Sequence, residues 1–461
     1  MLQESPARMS VPATQDLIPP RPAVPPRAAG ALRMLAVSAR DLLRLFPETA
    51  FRHRLIPMPT LRQRMVVVNT PELVRQVFIL DAASHEAKSR HFRAAVRPVL
   101  GDSMFGGHGR LWAERRAIVA RLIHPSRNAE FHPVFSAEAE ALADRWRGRV
   151  DVSAELGAAT ATVVLRLLFP RTADPADAAS IASSFGRYEQ AVLAVDFGHL
   201  LGLPEALSGW QGLTARREAA HIRGVIRAAM ARADAAGEGG LYAELRDALN
   251  EAGQPALSRE ALLNELGMLL LAGSETSANA LSWALYLIAR HPPTRARLDE
   301  EHAAVLGGRS PTHAELARLP FTRAVLQEAM RLYPPVAYLS REAARAQTLG
   351  AVSVKAGDTV MALPWLLHRH EHLWDAPHAF RPERFMPDAP RKPPRFGYIP
   401  FSLGPRVCAG AAFAQAEMTV FLAVLLQRLD VAVAPDTRPM PWARLSVRPK
   451  GGMPLVFTPR G

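Results

Sequence analysis

The chemistry of this chain starts at one sulfur. Cys408 is the only cysteine in 461 residues, and it lies within Phe401-Ser402-Leu403-Gly404-Pro405-Arg406-Val407-Cys408-Ala409-Gly410. A lone thiol makes no internal disulfide, no four-cysteine iron–sulfur site and no cysteine-rich zinc site. It can be a small buried hydrophobe, a nucleophile, or the single axial thiolate of a haem. An inert core cysteine has no need of glycines at Gly404 and Gly410 with an arginine between them. Gly404 permits a tight turn, and Gly410 lets backbone approach a flat ligand. Such a loop aims N–H donors at a thiolate, which lowers its pKa and tunes a bound metal. Apolar spacing through Phe413, Met418, Phe421, Leu422 and Leu425 predicts a helix over 409–428, its positive end near the sulfur.

This stretch resembles the haem-binding loop of the cytochrome P-450 superfamily, F-x-x-G-x-R-x-C-x-G, at every fixed position. The resemblance implies that Cys408 is the proximal thiolate ligand of haem b iron and that Phe401 packs by the sulfur. It implies that Gly410 borders the macrocycle and that Arg406 pairs with a haem propionate, which suits a bidentate guanidinium.

Upstream, Trp112 and Arg116 are four apart and share one helical face. In the superfamily the matching pair goes to a haem propionate. Residues 258–291 read as one long helix, apolar nearly all round from Leu262 to Leu271, as a helix through a core should be. Ala272-Gly273-Ser274-Glu275-Thr276-Ser277 interrupts it. A mid-helix glycine costs about 1 kcal/mol relative to alanine, and an unpaired buried acid costs more. Helical spacing resumes at Ala278, Leu281, Leu285 and Ile288, so the segment is read as a locally opened turn that holds water beside a ligand. It resembles the oxygen-binding motif [AG]-G-x-[DE]-T-[TS]. By that resemblance Thr276 hydrogen-bonds dioxygen, Glu275 relays protons, and Ala272 and Gly273 leave room over the haem.

Glu328 and Arg331 have ion-pair spacing on a helix that Pro334-Pro335 stops. They resemble the family's E-x-x-R, with Arg384 as third partner in a structural triad that braces the proximal side. Arg341 matches a further propionate ligand. His368, His370 and His372 alternate, but they are read as a solvated loop rather than a metal site. By resemblance the substrate pocket draws on residues 84–105, 185–215, 336–339 and 451–453, with Leu269, Ala272, Val336, Ala337 and Met453 as wall. An apolar wall implies a lipophilic substrate.

The formal charge is +13, carried by arginine; Lys88, Lys355, Lys392 and Lys450 are the only lysines. The cations are dispersed and not interleaved with aromatics, which argues against nucleic acid and favours a solvated surface that uses arginine in place of lysine, with docking of an acidic electron donor as the functional alternative. No apolar run is long enough to span a bilayer and no secretory signal is seen, so a monomeric cytoplasmic protein without a transmembrane anchor is expected. Residues 1–30 are read as a Pro-rich tail and 31–461 as a single catalytic domain, with 31–46 a docked helix. A short strand at 65–69, a helix at 71–79, a loop-rich 81–108, helices to about 333 and short strands in 336–362 and 430–460 give a mainly α fold with a minor β portion.

The resemblance implies a monooxygenase that inserts one atom of O2 into its substrate. No flavin or nicotinamide fingerprint is present, so electrons from NAD(P)H must arrive through separate partners, a ferredoxin or flavodoxin with its reductase. Two rivals stay open: a haem-thiolate peroxygenase or isomerase needing no external electrons, and a non-catalytic haem sensor.

Overall fold

The computed structural model describes residues 16–25, 37, 41–58, 64–192, 211–250 and 253–460. In chain order its helices are α1 (Pro71–Arg75), α2 (Arg90–Leu100), α3 (Gly109–Leu122), α4 (Asn128–Arg145), α5 (Val152–Leu168), α6 (Pro175–Ala191), α7 (Leu213–Ala235), α8 (Gly240–Arg246), α9 (Arg259–Arg290), α10 (Pro292–Leu306), α11 (Pro320–Leu332), α12 (Pro364–Leu367) and α13 (Ala411–Arg428). The strands are β1 (Leu55–Met58), β2 (Met65–Val68), β3 (Gly148–Asp151), β4 (Leu339–Glu342), β5 (Gln347–Leu349), β6 (Val352–Val354), β7 (Thr359–Ala362), β8 (Leu429–Val433), β9 (Pro441–Ala443), β10 (Val447–Pro449) and β11 (Pro454–Pro459). The expected mainly α class with a small β share is what the chain adopts.

Helix α9 is the axis. Ser258 caps it by accepting from the Ala261 amide, and the His291-Pro292-Pro293 sequence ends it. Between those ends nearly every side chain is buried, because α5, α11 and α13 pack around it. Helix α13 in turn packs on α4, and α5, α6 and α7 stack in sequence. The four-stranded sheet has order β1-β2-β7-β4, with β2 and β7 parallel and the other pairs antiparallel. It carries Arg341 on β4 to the edge of the helical body.

Several expectations are corrected. Helix α1 gives way after Arg75 to a wider π turn, Gln76–Leu80, and the loop-rich 81–108 contains α2, capped by Ser89 and holding Pro98 within it. The helix expected at 31–46 falls mostly outside the described residues; Leu42–Arg44 is a single 3-10 turn capped by Asp41. The described part of the Pro-rich lead-in is not loose. Pro19 and Pro22 are buried, the Leu17 carbonyl accepts from the Phe380 amide at 2.9 Å, and the Pro20 carbonyl accepts from Tyr333 Oη at 2.8 Å.

His368 and His370 are buried rather than solvated, 0% and 2% exposed. His368 Nε2 accepts from the Ile399 amide at 2.8 Å, and burial together with Arg331 and Arg369 holds the ring well below its usual pKa, hence neutral. It is a structural acceptor, because the Tyr398 segment packs over it.

Candidate functional site

The cysteine loop is held by its own backbone. The Cys408 amide donates to the Phe401 carbonyl at 2.8 Å and the Val407 amide to the Gly404 carbonyl at 3.0 Å. Gly404 has φ +66°, and a Cβ there would lie 1.9 Å from the Phe78 carbonyl oxygen of the π turn, so glycine is demanded twice over. Helix α13 starts at Ala411, two residues later than expected, because Ala409 and Gly410 make the turn that lets the Gly410 amide reach the thiol. Burial pushes the Cys408 thiol up, opposed by that amide, by Arg116 and by Lys88.

The sulfur faces a cavity of about 270 Å³. On the opposite side α9 contributes Leu269, Ala272, Gly273 and Thr276, and the loop side contributes Phe401, Arg406 and Gly410. Trp112 and Arg116 reach it from α3, Arg341 from β4 and Val336 from the segment before β4. The structure thus brings together most of the residues read from the sequence.

It corrects two pocket residues. Ala337 and Met453 do not line the cavity; both are buried in the packed core. Met453 is 0% exposed, its amide tied to Asp151 Oδ1 at 2.8 Å, because it belongs to the turn that pairs β11 with β3. Of the expected 185–215 lining, 193–210 lie outside the described residues.

The opened turn is also corrected. Helix α9 runs unbroken for 32 residues. The Thr276 hydroxyl donates to the Ala272 carbonyl at 2.9 Å, and the Ser274 hydroxyl to the Leu270 carbonyl at 2.6 Å, so the hydroxyls add bonds to a helix that keeps its own. Gly273 is explained instead by close packing, since a Cβ there would come within 3.0 Å of Val164 Cγ2 on α5. Glu275 lies outside the cavity lining, where it accepts from Asn279 Nδ2 at 2.8 Å and Ser446 Oγ at 3.2 Å.

The expected stretches 84–105 and 336–339 do supply wall residues, Lys88, Phe92, Phe105 and Tyr338, although none of these was singled out; Val164 and Leu241, also on the wall, were missed outright. Lys88 is wedged over the Phe105 ring at 3.2 Å, and burial, with Arg341 and Arg406 nearby, holds its ammonium well below the usual lysine range. The signal was its type: a lysine where nearly every other cation is arginine.

The cations test whether a haem fits. Lys88, Arg116, Arg341 and Arg406 all border the same apolar cavity. Among the described residues only Glu86 serves any of them as a carboxylate, meeting Arg406 Nη2 at 3.1 Å. Arg406 also donates to the Gly107 carbonyl at 2.8 Å and stacks on Trp112 at 4.1 Å, but its buried Nε has no partner among the described residues. Arg341 is 4% exposed; among the described residues its guanidinium hydrogen-bonds the neighbouring Ser340 carbonyl and lies over the Phe78 ring, with no carboxylate. Buried charge of one sign requires compensation. A flat apolar group with carboxylates at one edge and a metal over the sulfur supplies it, so these residues fit haem.

Behind the loop the triad is assembled. Arg331 is 0% exposed and forks onto Glu328 at 2.6 and 2.8 Å, while Arg384 Nε reaches Glu328 at 3.3 Å. Arg331 also donates to the carbonyls of His368, Pro377 and Ala379 at 2.7 to 2.9 Å, pinning the strand-to-loop segment against α11.

Comparison with known proteins agrees with this geometry. The Cytochrome P-450 family model matches residues 50–456. Cyclooctatin synthase of Streptomyces melanosporofaciens is 32% identical over 400 residues, 85% of each chain. Cytochrome P-450 734A4 of Oryza sativa subsp. japonica is 30% identical over 439 residues, 86% of this chain and 80% of the other. The 11-oxo-beta-amyrin 30-oxidase of Glycyrrhiza uralensis is 27% identical over 420 residues, 85% of this chain and 78% of the other. The chain belongs to the cytochrome P-450 family of haem-thiolate monooxygenases.

Proposed function

We propose that this protein inserts one oxygen atom of O2 into a lipophilic small molecule, by hydroxylation or epoxidation, at a haem b held by Cys408. The observation that carries this reading is that the Cys408 thiol and the Thr276 hydroxyl line one apolar cavity bordered by Lys88, Arg116, Arg341 and Arg406. When bound, the haem supplies dioxygen binding and O–O cleavage, which an axial thiolate favours. The chain supplies the rest. Arg116, Arg341, Arg406, Lys88 and Trp112 would hold the propionate edge. Leu269, Ala272 and Val336 would shape the substrate's place and exclude water. Thr276 would turn its hydroxyl from the Ala272 carbonyl toward the cavity and donate there, with Glu275 as the acid behind it.

Electrons would come from NAD(P)H through a separate ferredoxin or flavodoxin and its reductase, docking on the Cys408 side. Among the described residues no helix is long and apolar enough to cross a membrane. The relatives' names support oxidation as the reaction class; the substrate of this chain rests on the apolar lining.

The test is the reduced holoprotein under carbon monoxide. A thiolate-type Soret band, and a shift of the ferric band by a lipophilic ligand that displaces iron-bound water, are expected. An imidazole-type spectrum overturns the reading.

A further inference from the structure

Glu275 meets a second buried acid over a single hydroxyl. Glu189 stands near the end of α6, 1% exposed, and Ser446 lies between β9 and β10. Ser446 Oγ is 3.1 Å from Glu189 Oε2 and 3.2 Å from Glu275 Oε1, and it accepts from Asn279 Nδ2 at 3.3 Å. A hydroxyl has one proton and two lone pairs. Asn279 occupies one lone pair. The proton can serve only one carboxylate, and the other then confronts the remaining lone pair. That contact is attractive only if the second carboxyl carries a proton.

Charge points the same way. Arg448 Nη1 donates to Glu189 Oε2 at 3.0 Å and its Nε lies 3.8 Å from Glu275 Oε1, so one guanidinium faces two carboxyls. The other ionisable groups nearby do not bond either carboxyl, although Arg444 lies near enough to Glu189 for their charges to attract. Arg444 donates to the Val192 carbonyl, the Tyr188 hydroxyl to the Ala95 carbonyl, and Asp151 accepts from the Ser153 and Met453 amides. One proton on the pair leaves a single carboxylate for Arg448, the guanidinium that contacts both.

We propose that Glu189, Ser446 and Glu275 form a one-proton unit, with the proton resting on Glu189 and passing through the Ser446 hydroxyl to Glu275, the acid next to Thr276. In the transfer the Glu189 O–H bond breaks as Ser446 Oγ takes that proton. The original Ser446 O–H bond breaks as Glu275 Oε1 takes the other. The negative charge moves from Glu275 to Glu189 and the net charge is unchanged. Glu189 is the resting place because it is the more deeply buried of the two, 1% against 8% exposed, and burial, then the nearby Glu275, push its carboxyl upward against Arg448 and the Ser446 amide, which donates to its Oε1 at 3.1 Å. Arg448, whose side chain is 19% exposed, is the unit's edge toward solvent. Glu189 touches no substrate; it positions a proton for a residue that acts closer in. The relay role rests on the monooxygenase reading, whereas the shared proton does not.

The experiment is infrared spectroscopy of the holoprotein at pH 7 in H2O and D2O, on wild type, Glu189→Gln and Ser446→Ala, with haem content confirming the fold. Wild type should show a deuterium-sensitive carboxylic acid band that Glu189→Gln removes and Ser446→Ala retains. A buried acid elsewhere, Glu417, leaves its own band in all three. In turnover both variants should form product about tenfold more slowly, less than the roughly hundredfold lost with a direct proton donor. Wild type should lose coupling at alkaline pH, and both variants should lack that decline. Absence of the band in wild type, or its survival in Glu189→Gln, overturns the shared proton. A lost band with unchanged rate and pH profile overturns the relay. A holoprotein without a thiolate spectrum overturns the monooxygenase reading, and the band alone then decides whether the proton is shared.

Discussion

Gly404 and Phe78 touch backbone to backbone: a Cβ on the glycine would sit 1.9 Å from the Phe78 carbonyl oxygen. The π turn of 76–80 therefore sets the position of the thiolate loop, although more than three hundred residues separate the two in sequence.

Gly404→Ala should displace that loop. The φ of +66° alone costs about 1–2 kcal/mol for an L side chain, and the clash is with backbone, which cannot swing aside. The haem-to-protein ratio should fall and the Soret band broaden. Gly212→Ala, with φ −61° and nothing near its Cβ, should leave both unchanged.

Thr276→Ala removes one of the two motif hydroxyls, Thr276 and Ser277, that line the cavity opposite Cys408 while leaving the helix intact, since its bond to Ala272 is an addition to the ladder. Nicotinamide oxidation should continue while product per oxygen consumed falls severalfold. An unchanged ratio would deny Thr276 its role.

Glu417 on α13 is 0% exposed, and burial, opposed by Ser277, pushes its carboxyl up to about 8. The folded state then holds a proton that the unfolded state releases near the ordinary glutamate value of 4.5. Between those limits the native protein binds more protons, so stability falls as pH rises toward about 8 and levels off above it. Glu417→Gln should flatten that slope and raise Tm more under mildly alkaline than under mildly acidic conditions, read by differential scanning fluorimetry on either side of the folded-state value.

Residues whose chemistry fixes their type were legible in the sequence. Cys408, Thr276, Glu328 and Arg331 stand in short patterns, and the structure gathers them as those patterns imply. What escaped depends on partners distant in the chain. Ser446 gains its meaning from Glu189 and Glu275, 257 and 171 residues away, and no local pattern announces that meeting. Helix α2 escaped because Pro98 and its arginines in Arg90–Leu100 look like a loop, whereas six buried positions make it a wall. Met453 was misplaced because a turn's sequence does not say which way its side chain faces.

The Tyr333 ring, whose hydroxyl donates to the Pro20 carbonyl, lies flat on Trp283 of α9, centroids 3.7 Å apart. Anyone trimming residues 16–25 to obtain a tidier recombinant product would strip a phenol of its acceptor and loosen the cover over an indole at the heart of the molecule. The dispensable-looking segment 16–25 is masonry.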